Sequence, residues 1–293
     1  MLILAIDIGG TKTAAALMND DVVLEHATWP SPPSAAEAIE RIVATCAPWT
    51  NQAQAAGVAF GGQFDFPTQT CIRSMHTHGW DDLLLSQQLQ QALGIPVITD
   101  NDANVAALGE YQRAHEPKDA KSPTDPLLYV TISTGVGAAI VANGQLLRGA
   151  HSLAGELGHL PIGHDKTCNC GQVGCLERAV SGYWIEHDHH QAAQDYLEHP
   201  DNHRAWIEDL TRGLWSATVL IDPAVIVIGG GMTGQGDRLI EPLRASLTSK
   251  AHVSNRTPPA LRLGDPSGRT VLAGAAVMAQ QFIAKEEHRG SRG

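Results

Sequence analysis

The chain has 293 residues, 43% of them hydrophobic and 17% charged, which supplies a packed core and excludes a disordered or coiled-coil protein. Its formal net charge of −11 at pH 7 argues against nucleic acid as a partner, because a polyanion needs a basic face. A small phosphorylated ligand stays open, since backbone N–H groups hold phosphate without net charge.

The opening MLILAIDIGG has no basic segment and no cleavage-like site, and no run of 18 apolar residues occurs. The expectation is a soluble, cytoplasmic protein with no membrane partner. Leu2 to Ile6 suit a buried strand, TAAALM after a glycine turn suits a second, and residues 19–21 supply a reversal. Ser34 with Glu37 three residues on predicts the capped start of a helix. AAGVAF is a strand running into Gly61 and Gly62. LLLSQQLQQALG is a helix closed by Gly94. IPVITD is a strand, and ANVAALGEYQRA a helix.

Residues 115–126 are polar and proline-rich and predict a loop or lobe junction. LLYVTISTGVGAAIVANG then repeats the opening pattern of buried strand, glycine turn and apolar return strand. We take this as an internal duplication. HRAWIEDLTRGLWSATVLID predicts a long helix, AVIVIGGGMTGQG a strand entering a glycine turn, and TVLAGAAVMAQQFIAK a final amphipathic helix. The tail EEHRGSRG is expected to be disordered. The order is α/β throughout, and ligands in such sheets sit at the carboxyl ends of strands. The expected architecture is two lobes with a duplicated core and a central cleft: a small lobe over residues 1–114, and a large lobe over 115–293. A C-terminal helix near 270–286 is expected to pack back on the small lobe.

Four groups of residues point to chemistry. In DIGGTK the glycines at 9 and 10 let the backbone approach an anion, and Thr11 adds a hydroxyl. A plain hairpin turn would look the same, but STGVG at 133–137 repeats the arrangement, and two such turns could grip successive phosphates of a nucleotide. TDNDANVAA places Asp100, Asn101, Asp102 and Asn104 where a strand enters a helix, as a general base with its orienting amide or as a helix cap. Three of the five cysteines lie in KTCNCGQVGCLE. Cys168, Cys170 and Cys175 with His159 of GELGH suit one tetrahedral structural Zn²⁺, with no position left open for water. A metal-free loop is disfavoured because thiols so close together would oxidise. EHDHH at 186–190 reads as a solvated helix face.

DIGGTK, DNDAN, ISTGVGAAI, AGELGH, CNCGQVGCLE and VIGGG occur in the order found in the ROK family of sugar kinases and sugar-responsive repressors, and the chain resembles that family over nearly its whole length. The resemblance implies the actin-like ATPase (ribonuclease H-like) fold and an ATP-dependent kinase acting on a hexose or N-acylhexosamine, with O6 as the expected acceptor. Asp102 resembles the catalytic base. Gly62, Asn101, Asp102, Glu156, His159 and Glu177 resemble the sugar-binding set. Asp7, Gly9, Gly10, Thr11 and Lys12 resemble the first phosphate loop, Thr134, Gly135 and Gly137 the second, and Gly229, Gly230 and Gly231 the adenosine-side turn. Mg²⁺ is implied with ATP, a homodimer is expected, and the zinc would hold the His159 and Glu177 walls of the sugar pocket in place. GGQFD at 61–65 and MHTHGW at 75–80 depart from the family pattern in segments expected to face the sugar. Glucose, N-acetylmannosamine and N-acetylglucosamine therefore all stay open as substrates. A non-enzymatic sugar sensor is the rival; such repressors carry a helix-turn-helix domain ahead of the first strand, and a strand that starts at Leu2 is read as leaving no room for one.

Overall fold

The computed structural model describes residues 1–74, 78–114, 125–253 and 255–290. Of the expectations above, those on Met75–Thr77 and on most of the proline-rich loop fall outside these residues. In chain order the elements are β1 (Leu2–Ile8), β2 (Lys12–Asn19), β3 (Val22–Pro30), α1 (Ala35–Thr50), β4 (Ala55–Phe60), β5 (Gln63–Asp65), β6 (Thr70–Arg73), α2 (Leu85–Leu93), β7 (Val97–Asn101) and α3 (Asp102–Ala114). There follow β8 (Leu127–Ile132), β9 (Val136–Ala142), β10 (Gln145–Leu146), α4 (Leu176–Val180), α5 (Gly182–His189), α6 (Ala193–Tyr196), α7 (Pro200–Ile221), β11 (Val225–Gly229), α8 (Asp237–Val253), β12 (Ala260–Leu263) and α9 (Arg269–Gly290). Two compact units divide the chain, Met1–Arg113 with Ser267–Gly293, and Ala114–Pro266.

The first unit is built on a sheet ordered β3-β2-β1-β4-β7, and the second on one ordered β10-β9-β8-β11-β12. In each, the first two strands form an antiparallel hairpin, a third antiparallel strand flanks it, and two parallel strands extend the other side. The duplication seen in the sequence is thus a duplication of strand order and direction. The parallel strands are buried on both faces, which is why AAGVAF and AVIVIG are continuous apolar runs rather than alternating ones.

In the first unit, α1 and α2 bring Ile42, Leu85 and Leu89 onto Leu4, Ile6 and Val58. Helix α9 packs against β1, β2, β4 and β7, and its approach depends on glycine. A Cβ at Gly57 would lie 1.9 Å from the Ala275 carbonyl oxygen, and one at Gly109 would lie 1.8 Å from that of Thr270. In the second unit, α4, α7 and α8 enclose a core of Leu176, Trp206, Leu210, Leu214, Leu243 and Leu247 against Val130, Ile132, Ile226 and Ile228.

Ser34 caps α1 as its sequence predicts, with its hydroxyl oxygen accepting from the Glu37 N–H and its O–H donating to the Glu37 carboxylate. Gly94 closes α2 in the left-handed conformation at φ 72°. The tail differs from expectation: residues 286–290 continue α9 instead of being disordered.

Ala at position 109 would gain up to about 1 kcal/mol of helix propensity. It would also drive a methyl group into a main-chain carbonyl that cannot rotate away, and overpacking costs about 1–3 kcal/mol. Gly109→Ala is therefore expected to lower stability by about 2 kcal/mol in urea unfolding. An unchanged midpoint would show that α3 and α9 do not meet at this glycine.

Candidate active site

In the first unit the site follows from strand register. Parallel pairing sets Asp7 beside Ala59 and Ala59 beside Asp100; one step on, Ile8, Phe60 and Asn101 align. The next step leaves the sheet and brings Gly9, Gly61 and Asp102 together. The Gly61 N–H donates to the Ile8 carbonyl at 2.9 Å. A Cβ at Gly61 would stand 3.6 Å from both the Gly9 Cα and an Asp102 carboxylate oxygen. Asp102 is exposed and opens α3. Asn101 donates from Nδ2 to the Gly62 carbonyl at 2.9 Å, and its Oδ1 accepts from the Ala103 N–H. Asp100 is buried, accepting from the Asn101 N–H and from Asn104 Nδ2. It is the brace of this corner, while Asp102 is the accessible carboxylate.

The first glycine turn is closed by the Gly9 N–H donating to the Lys12 carbonyl, and Ser31 at the end of β3 fastens it by donating to the Gly9 carbonyl at 2.6 Å. Gly10, Thr11 and Lys12 lie at its open side, Thr11 and Lys12 exposed. Burial pushes the Asp7 carboxyl up to about 7; the neighbouring Asp102 charge adds to the effect and Lys12 opposes it. Sequence reasoning missed Gln69. It adopts φ 56°, donates from Nε2 to the Thr99 carbonyl and accepts the Thr99 N–H, so it hydrogen-bonds the free edge of β7 as a neighbouring strand would. Ser86 donates to the same side chain at 2.7 Å.

In the second unit Thr134 and Gly135 lie in the turn between β8 and β9, with Gly137 just inside β9 opposite Thr131, and Gly230 and Gly231 follow Gly229, the last residue of the adjacent parallel strand β11. The two meet at the strand ends. Gly230 has φ 88°, and a Cβ there would lie 2.3 Å from the Ile132 carbonyl oxygen; one at Gly231 would lie 3.5 Å from Ser133 Oγ. At Gly230 only glycine lets the two backbones come so close.

Glu156 and His159 sit on a short 3₁₀ turn over β9, where a Cβ at Gly158 would lie 2.2 Å from the Val136 carbonyl oxygen. His159 directs Nδ1 toward Cys168 Sγ at 4.0 Å and Nε2 toward the Glu156 carboxylate at 3.9 Å. Cys170 and Cys175 sulfurs stand 3.6 Å apart, and the four ligand atoms of His159, Cys168, Cys170 and Cys175 all lie within 4.8 Å of one another. Tetrahedral bonds of about 2.3 Å give edges of about 3.8 Å, so soft donors at these separations fit zinc. Burial raises the Cys175 thiol to about 12 and also raises Cys168. Loading such a set would release protons.

Glu177 makes a contact that its sequence neighbours do not announce. Its Oε2 accepts the Val136 N–H at 2.9 Å, at the base of the second glycine turn. In the EHDHH segment Glu186, His187, His189 and His190 are exposed, as expected of a solvated face, and Asp188 is the exception. Asp188 is no free solvated residue: it takes both terminal nitrogens of Arg178 at 2.8 and 3.0 Å and Lys166 at 3.0 Å. The Arg178 bonds hold its carboxyl well below the usual carboxylate range. Arg178 also donates to the Thr167 carbonyl, tying the cysteine loop to α5.

The structure matches a ROK hexokinase from Thermus thermophilus with a TM-score of 0.83 and 28% identity, over 97% of this chain and 100% of that one. It matches a ROK family glucokinase from Streptomyces griseus, solved with glucose and AMPPNP, with a TM-score of 0.75 and 27% identity over 96% and 100%. In sequence, the chain is 31% identical to N-acetylmannosamine kinase of Salmonella typhi over 96% of its own length and 99% of the relative's. It is 35% identical to a glucokinase of Halalkalibacterium halodurans over 57% of its own length, spanning 58% of that relative. The fold is the actin-like ATPase (ribonuclease H-like) fold, with an accessible carboxylate beside a glycine turn. The chain belongs to the ROK family, whose model matches residues 3–282.

The raised Asp7 value makes stability depend on pH. The folded state binds the Asp7 proton more tightly than the unfolded chain, so its contribution to stability is complete below about pH 4 and is lost as pH rises through about 7. Asp7→Asn should flatten thermal stability across this window. An unaltered pH profile in the variant would show that Asp7 does not hold the proton.

Proposed function

We propose that this ATP-dependent sugar kinase transfers the γ-phosphoryl group of ATP to the primary hydroxyl, O6, of a hexose or N-acylhexosamine. The observation that carries the proposal is the placement of Asp102, an exposed carboxylate at the start of α3, against Gly61 and the Gly9 turn. Asp102 takes the proton of the acceptor hydroxyl as its oxygen attacks the γ-phosphorus; the bond from that phosphorus to the bridging oxygen breaks, and ADP leaves. Asn101, tied to Gly62, orients the acceptor, and Glu156, His159 and Glu177 take further sugar hydroxyls. Asp7, Gly9, Gly10, Thr11 and Lys12 hold phosphate from one turn, Thr134, Gly135 and Gly137 from the other, and Gly229, Gly230 and Gly231 accommodate the adenosine. Mg²⁺ bound with ATP would neutralise charge on the phosphate oxygens.

His159, Cys168, Cys170 and Cys175 would hold one structural zinc. With Nδ1 turned to the thiols and Nε2 to Glu156, the imidazole can serve metal and sugar from opposite ring nitrogens. Similarity to N-acetylmannosamine kinase over nearly the full chain supports a second reading, in which the acceptor is an N-acylmannosamine rather than glucose.

Asp102→Asn keeps size and removes the proton acceptor. kcat should fall by roughly 10²–10⁴ while sugar binding persists; near-normal turnover would remove Asp102 from the role of base. Cys170→Ser should abolish stoichiometric zinc in elemental analysis and raise the KM for sugar. Purified protein that is fully active and free of metal would contradict the zinc assignment.

A further inference from the structure

The second glycine turn is gripped from one side by a single short stretch of chain. The Val136 N–H donates to Glu177 Oε2 at 2.9 Å, the Gly182 N–H to the Ser133 carbonyl at 2.8 Å, and the Tyr183 N–H to the Thr134 carbonyl at 3.1 Å. The last two donors are first-turn N–H groups of α5, which have no partner within their own helix. On the other side, the Val136 carbonyl oxygen faces Gly158 so closely that a Cβ there would stand 2.2 Å away. Val136 is thus held through its N–H by Glu177 and overlaid at its carbonyl by the turn that carries Glu156 and His159. Gly135 completes the arrangement: a Cβ there would lie 2.8 Å from Glu177 Oε2, so a side chain at this position would press on the carboxylate where it meets the turn.

A sugar-ligand role alone does not account for this contact. A carboxylate that served only a hydroxyl would gain nothing from an N–H of the phosphate turn. We infer that Glu177 is a positioning residue for the nucleotide: its Oε2 fixes the shape of the Ser133–Gly137 turn, so that nucleotide affinity depends on Glu177 even without sugar. The other oxygen, Oε1, accepts no hydrogen bond among the described residues and is left for a sugar hydroxyl. One carboxylate would then meet both substrates, and each would bind better in the presence of the other. Glu177 lies two residues after Cys175, at the point where the cysteine loop enters α4. The loop therefore anchors the nucleotide turn as well as the sugar side. The inference rests on the reading of this turn as a nucleotide-phosphate turn.

The test is the Kd of AMPPNP with Mg²⁺, measured by calorimetry without sugar. Glu177→Ala should weaken binding roughly tenfold, the worth of one charge-assisted hydrogen bond. Glu177→Asp, which keeps the charge but withdraws it by one methylene, should weaken it as well. Glu177→Gln offers a carbonyl oxygen at the same reach and should stay within about twofold of the parent, with Val136 amide exchange still slow. Should the Ala variant fold poorly, the Asp and Gln pair carries the comparison. Thr134→Asp puts a negative charge in the turn without touching Glu177 and should abolish binding. If Thr134→Asp abolishes it while the Ala and Asp variants bind as tightly as the parent, the strut is wrong although the turn is right. If Thr134→Asp leaves binding intact, the turn itself is misread and the inference falls with it.

Discussion

Parallel pairing of β1 with β4 and of β4 with β7 decides which residues can meet in the first unit. Asp7, Ala59 and Asp100 share one row, and Ile8, Phe60 and Asn101 the next. Asp102 reaches the Gly9 turn because it is the residue after Asn101. A slip of β7 by one residue would turn Asn101 toward the wrong face and carry Asp102 away from Gly61. Buried Asp100 and the Gln69 side chain hold that register at an edge strand, where half the backbone hydrogen bonds would otherwise lack a protein partner. The same pairing of β8 with β11 brings the Ser133–Gly137 and Gly229–Gly231 turns to adjoining strand ends. One topological unit, used twice, generates a glycine turn at the strand ends of each sheet.

The cysteine ribbon has a plain mechanical place in the second unit. Between Pro161 and Cys175 the chain runs out and back as a narrow antiparallel loop, too small to bury a core of its own. Chains of that kind need a staple. The thiol–imidazole cluster would supply one with a metal bound, and the Arg178–Asp188 pair supplies another on the outer side. The pair is bidentate and mostly buried, with Arg178 also lying over the Trp184 ring at 3.9 Å, which sets it apart from exposed ion pairs that contribute little. Both staples fix the start of α4, and α4 carries Glu177.

Much of this was legible in the sequence. Continuous apolar runs ending in glycines marked the parallel strands, and the repeat of strand, glycine turn and strand marked the duplication. The spacing of three cysteines and one histidine marked the thiol–imidazole cluster. What stayed hidden depended on partners distant in sequence. Gln69 looks like any polar loop residue until its amide is seen on Thr99, 30 residues away. Asp188 sits in a histidine-rich segment that reads as solvated, yet its partner Arg178 lies ten residues earlier on another helix. The motif that holds Glu177 is plain in the sequence, but its bond to Val136 spans 41 residues and no local pattern announces it. The helical continuation through residues 286–290 was masked by polar composition, since its support comes from α9 as a whole.

The most direct experiment is a product analysis. Purified protein with Mg²⁺·ATP is offered a panel of hexoses and N-acylhexosamines, ADP is quantified, and the sugar product is assigned by ³¹P NMR. The account predicts one preferred sugar, ADP formed in step with it, and phosphate on the primary hydroxyl. Saturable sugar binding with no ADP above the sugar-free background would instead make the protein a sensor and contradict the account.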